Sequence, residues 1–209
     1  MNYQMFLKSY WNYFLEIEEN ILSIQQYVNF EKKNWKVYSN EFIKMLEIIC
    51  SEIDVIAKEI VLFKNPTDVN IDGIYKWGYE IQNLIPNISI IKIQFNNEID
   101  IIPWKNWKYE RYTDKNGRIR TRLVRNKENP KWWTAYNKVK HARTSRTTLG
   151  YNYEKANLDN VINSLGGLYI LEEYFLKEIT IDKNELGFRH SKLFRNINEE
   201  SFYERGKEK

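Results

Sequence analysis

The stretch SNEFIKMLEIICSEIDVIAKEIVLF, residues 39–63, decides the fold class. Phe42, Leu46, Ile49, Ile53, Ile56, Ile60 and Phe63 recur every three or four residues, which lines them along one face of an α-helix. Ser39 offers an oxygen to the free amides of the first turn, and Asn65-Pro66 stops the run. An isolated helix of this kind is marginal in water, so its stripe needs partners. Phe6, Tyr10, Phe14, Ile17, Ile21, Ile24 and Val28 form such a stripe over residues 3–30. Pro130 suits the opening of a third helix, over about 131–144. Leu158, Ile162, Leu165, Tyr169 and Leu176, widened by Val161, Leu168 and Leu171, mark a fourth and central helix over 154–179. Gly166-Gly167 in its middle costs about 1 kcal/mol per glycine against alanine. Close approach of another helix, in the bundle or in a partner, would offset that cost.

The connections complete a mainly α fold. Residues 71–84 read as a short helix ending before Pro86, 88–95 as a strand, and Asn96-Asn97 as a turn. Lys115-Asn116-Gly117-Arg118 reads as a two-residue hairpin turn, since Asn-Gly tolerates the positive φ such turns require. Leu193-Phe194 starts a short tail helix, and the polar residues 199–209 fray. The expected unit is a single helical domain over 1–198, with a β-hairpin or small sheet inserted at about 88–124, before the third long helix. The 209 residues carry 8 Gly and 4 Pro, too few turn residues for an all-β protein. A single Cys and 2 His exclude a disulfide framework and the common Cys/His metal sites. No apolar run reaches the roughly 18 residues of a membrane span. A cytoplasmic protein without metal or cofactor is expected.

The net charge of +4 hides an asymmetry. Between Lys105 and Arg146 stand 14 Lys or Arg against Glu110, Asp114 and Glu128, so this stretch carries +11 and the rest −7. Four of the 7 Trp (Trp104, Trp107, Trp132 and Trp133) lie in or beside it. Cations laced with aromatics are the footprint of a nucleic-acid surface. The alternative is a solvated hairpin whose charges pair with an acidic face nearby, Glu52, Asp54 and Glu59 being candidates. Within the stretch Arg118, Arg120 and Arg122 alternate with Ile119, Thr121 and Leu123. A strand would send the three guanidinium groups to one face, about 7 Å apart, near a phosphate repeat.

The segment that can carry chemistry is WWTAYNKVKHAR, residues 132–143. In a helix Trp133, Asn137 and His141 share one face, while Trp132, Tyr136 and Val139 turn inward. Histidine exchanges protons near neutral pH, Asn137 can hold a phosphate oxygen, and Lys140 or Arg143 can neutralise charge growing on a phosphorane. Such a set suits attack of an RNA 2′-hydroxyl on its own phosphate without metal. Lys138 and Arg143, with the arginine rail, would bind the RNA backbone. The bland alternative is a helix whose histidine meets solvent.

Tyr136-Asn137-Lys138-Val139-Lys140-His141, late in an aromatic helix and followed by a long apolar one, resembles the motif of the HEPN family. In that family an Arg is followed by a polar residue, three or so variable residues and a His. Asn137 and His141 match; Tyr136 stands in place of the Arg, and a tyrosine hydroxyl supplies no permanent charge. The resemblance implies a four-helix bundle, often a homodimer. It implies either a metal-independent endoribonuclease of a bacterial defence or toxin–antitoxin type, with His141, Asn137 and Lys140 catalytic, or a non-catalytic module that binds nucleotides, RNA or an acidic protein partner.

Overall fold

The computed structural model describes residues 1–67, 71–180 and 189–197. The chain enters through α1 (Tyr3–Phe6), a π-helical turn (Leu7–Trp11) and α2 (Asn12–Ile24). The expected first helix therefore ends at Ile24 instead of 30, where Tyr27 and Val28 bond back to Ile24 in tight turns. The long stripe becomes α3 (Asn40–Lys64), opened by the Ser39 hydroxyl, which accepts from the Phe42 amide at 3.1 Å. α4 (Ile74–Leu84), α5 (Lys131–Ala142) and α6 (Leu158–Ile179) follow. Asn157 caps α6 by accepting from the Asn160 amide, so the helix starts four residues later than its apolar pattern suggests.

α3 lies along α6, with α2, α4 and α5 packed around the pair. One apolar cluster runs through all of them. Leu46, Ile49, Ile53, Ile56 and Ile60 of α3 and Leu158, Ile162, Leu165 and Leu168 of α6 are wholly buried. Burying side chains of this size contributes roughly 1.5–3 kcal/mol each against leaving them in water.

The β structure is small and antiparallel. β1 (Ile93–Phe95) pairs with β2 (Ile99–Ile101) across Asn96-Asn97, both at positive φ, 51° and 58°. On its other edge β1 pairs with β7 (Phe194–Asn196), where a tail helix was expected. The buried Glu18 of α2 explains the difference. Its carboxylate accepts from the Lys192 amide at 2.9 Å, the Leu193 amide at 3.1 Å and the Ser191 hydroxyl, which anchors the bend that leads into β7 beside β1. Strands thus extend beyond 88–124, and residues 88–90 form a 3₁₀ turn, not strand. The proposed fraying segment 199–209 lies outside the described residues.

Gly166-Gly167 accommodates this sheet and the tryptophans, not another helix. A Cβ on Gly166 would lie 2.9 Å from Ile93 Cδ1 and 3.0 Å from Ile101 Cδ1, and one on Gly167 would lie 3.2 Å from Trp132. The glycine pair is filled from within the chain, which removes it as a surface for a second copy.

β3 (Tyr109–Thr113) and β4 (Ile119–Leu123) form the basic hairpin. Its turn differs from the expected two-residue type. Asp114 still pairs with Arg118, so the loop is Lys115-Asn116-Gly117, and only Gly117 has positive φ, 76°. Asp114 Oδ1 accepts from both the Asn116 and Arg118 amides, at 2.9 and 3.0 Å. This side-chain staple favours the three-residue loop. A further short hairpin, β5 (Arg146–Thr147) and β6 (Gly150–Tyr151), joins α5 to α6.

Candidate nucleic-acid interface

α5 seats its aromatic side in the core. Trp132 Nε1 donates to the Pro103 carbonyl at 2.8 Å, and Trp133 meets Trp77 edge to face with centroids 5.7 Å apart. Trp104 and Trp107 join the same cluster, 4.5 Å apart, and Trp77 Nε1 donates to Asp54 at 2.8 Å. All four tryptophans that lace the basic stretch are buried. They are core, and none presents a ring for a base to stack on. Asp54 likewise serves Trp77 and Lys58 rather than the basic hairpin.

The arginine rail is largely neutralised. Glu110 lies directly across from Arg122 in the register and takes its Nε at 2.9 Å. Asp114 takes Arg120 Nε at 3.1 Å, and the Arg118 amide with Arg120 holds the Asp114 carboxyl below its usual range. Arg122 also covers the Tyr112 ring at 4.6 Å, and Arg111 is held by Glu80 and the Tyr79 ring. The Arg118 guanidinium has no ion pair among the described residues. The opposite face of β4 does not reach the core at its tip, where Ile119 is 71% exposed.

The motif side chains on and just after α5 have separate partners. Asn137 Nδ2 donates back to the Trp133 carbonyl at 3.0 Å, so its amide serves its own helix. Tyr136 is buried, and its hydroxyl accepts from Lys140 Nζ at 3.0 Å, which holds that amine above its ordinary value. Arg143 reaches away to Glu47 at 2.7 Å. His141 is exposed and has no hydrogen bond or ion pair among the described residues. No carboxylate orients it. Lys138 is exposed beside it. The fold thus brings Lys138, His141 and Arg143 to one end of α5, and leaves Arg118, Arg120 and Arg122 on a separate hairpin.

Beyond His141 lies a feature that sequence reasoning missed. Tyr151 and Tyr153 stack at 5.2 Å and 10°, Tyr38 meets Tyr153 at 5.8 Å, and Arg146 sits over Tyr151 at 5.4 Å. The available signal was Thr-Thr-Leu-Gly followed by Tyr-Asn-Tyr, a turn and then alternate aromatics. Elsewhere a cleft of ≈ 340 Å³ lies between the loop after β2 and the start of α6. It mixes Lys105 and Lys131 with Asp100, Glu128 and Asp159, so its walls favour neither sign of ligand.

Comparison of the chain with known protein families, with curated proteins and with solved structures finds no match. Among the described residues no group of His, Cys, Asp and Glu could hold a metal ion, and no helix is long and apolar enough to cross a membrane.

Proposed function

We propose that the protein is an RNA-binding module, built on a four-helix plan like that of the HEPN proteins, which holds RNA at the C-terminal end of α5 without cutting it. The observation that carries this reading is the disposition of the α5 side chains. Lys138 and His141 face solvent unpaired, while Asn137 and Lys140 are each committed to a neighbour on the same helix. A general acid–base pair would need His141 within reach of an orienting group, and among the described residues none bonds to it. Phosphate binding needs only exposed cations. From Lys138 to Lys155 there are five Lys or Arg against one acid, Glu154.

The test joins binding to product analysis. Anisotropy of a labelled single-stranded RNA should report binding that weakens as salt rises, with a log–log slope of about −0.7 per phosphate contacted. The RNA should be recovered intact, and His141→Ala should change affinity by less than about twofold. Release of fragments ending in 2′,3′-cyclic phosphate, with a loss of about 10²–10⁴ in rate for His141→Ala, would instead establish the endoribonuclease. That second reading draws on the exposure of His141 alone.

A further inference from the structure

We propose that Tyr38, Tyr153 and Tyr151, with Arg146 at one end, form a platform on which unpaired bases of single-stranded RNA stack; the proposal rests on the RNA-binding reading above. The three rings run in series, with Tyr153 between Tyr38 and Tyr151 and with Tyr151 between Tyr153 and Arg146, so bases add to the series at its two ends, on Tyr38 and on the Arg146 guanidinium. Tyr38 lies 5.8 Å from Tyr153 at 56°, Tyr153 lies 5.2 Å from Tyr151 at 10°, and the Arg146 guanidinium lies 5.4 Å over Tyr151. Tyr38 is 47% and Tyr151 36% exposed, whereas the tryptophans of the basic stretch are buried. Leu149, at the tip of the same hairpin, is 86% exposed and adds an apolar surface. Flat rings bordered by cations are how single strands are bound without reading sequence, because every base has a π face. Arginine also stacks on bases as well as on tyrosine.

The platform is held in place by main-chain bonds. The Tyr153 amide donates to the Arg143 carbonyl at 3.1 Å, and the Asn152 amide to the Ser145 carbonyl at 3.0 Å. Asn152 Nδ2 donates to the Ala142 carbonyl at 2.9 Å, which closes the end of α5 onto the hairpin. Tyr38 is fixed from the other side by a bridge to Asn157 and by the Leu158 amide on the Val37 carbonyl at 2.9 Å. The rings are therefore positioned before any ligand arrives, which spares the ordering cost of binding. They adjoin Arg143, two residues past His141, so a strand lying on the α5 cations continues onto the rings. Glu154, the single carboxylate in the segment, packs against Gly150.

The experiment uses the full chain, an eight-nucleotide oligoadenylate and an abasic oligomer of the same length, both read by anisotropy. The double variant Tyr38→Leu, Tyr151→Leu keeps apolar bulk at two exposed positions, and circular dichroism checks that it folds. It should bind oligoadenylate at least about tenfold more weakly, since a stacked base contributes about 1–3 kcal/mol. Its salt slope and its affinity for the abasic oligomer should equal those of the unaltered protein. The double variant Tyr38→Phe, Tyr151→Phe should retain full affinity, because the ring and not the hydroxyl makes the contact. If the unaltered protein binds both oligomers equally, or the leucine variant binds oligoadenylate normally, the platform is refuted while RNA binding stands. If the unaltered protein binds neither, both fall together.

Discussion

The two hairpins that flank α5 handle charge in opposite ways. In β3–β4 the acids sit where the register places them opposite or beside the arginines, so Glu110 faces Arg122 and Asp114 meets Arg120. At β5–β6 the cation meets a ring instead, with Arg146 covering Tyr151, and in α5 before it Lys138 has no ion pair among the described residues. A count of charges along the chain ranks the first hairpin as the stronger nucleic-acid surface. Pairing across the strands reverses that ranking, because an ion pair presents a dipole, not a net charge, to a phosphate. Exposed pairs of this kind contribute little to stability, so their main effect is on the field.

The largest effect expected from this contrast is on folding. Trp104 is fully buried between Trp77, Trp107 and Trp132. Trp104→Ala should lower stability by about 3–5 kcal/mol in urea unfolding. A variant that unfolded normally and lost only RNA binding would return the tryptophans of the basic stretch to the surface role that their sequence context suggests.

Charge that is paired at the surface is unpaired inside. Glu172 of α6 is wholly buried, neither carboxyl oxygen has a partner, and burial together with Glu52 pushes its carboxyl well above the ordinary range. Glu52 is raised by burial, and Tyr10 is pushed up to about 12 by burial and then by Glu59, Glu52 and Glu172. The native state therefore keeps a proton that the unfolded chain gives up. Its stability is fully present below about pH 4.5 and is lost as pH rises toward the native value. Glu172→Gln should raise the urea midpoint at pH 8, and the difference should vanish near pH 4. A constant difference across that range would mean that Glu172 ionises in the native state.

The hairpins themselves separate by salt dependence. Arg118→Gln, Arg120→Gln, Arg122→Gln together should flatten the slope of log K against log salt by no more than about 0.7, one phosphate, since only Arg118 is free of an ion pair. Lys138→Gln with Arg146→Gln should flatten it by about 1.4. The reverse order would restore the rail. The smallest effect belongs to Asn137→Ala. The amide it removes bonds only its own helix, so stability should shift by less than about 1 kcal/mol and RNA affinity should not move.

Helices were legible from residues wherever a long apolar stripe met a capping group. Ser39 and the stripe from Phe42 to Ile60 place α3 within a residue or two, and Pro130 places α5. Two of the failures share a cause: the deciding partner is remote in sequence. Phe194 to Asn196 form a strand because Glu18 anchors the residues just before them, and Gly166 is small because Ile93 and Ile101 press on it. At the site, His141 and Lys138 were readable as exposed side chains near a helix end. The commitment of Asn137 to Trp133 and of Lys140 to Tyr136 was open to the same helical arithmetic, since both are four residues apart. Tyr38 could not have been placed beside Tyr153, because they stand 115 positions apart in the chain.

The hold of Glu18 on residues 191–193 also has a bearing on synthesis. A ribosome releases α2 long before Ser191 emerges, so a carboxylate made for the interior waits in water while the intervening residues are made. Until its distant amides arrive, the sheet edge at β1 stands open and α2 has no reason to commit its polar side. The domain is thus one in which a contact made by α2 closes only once residues 191–193 have been made.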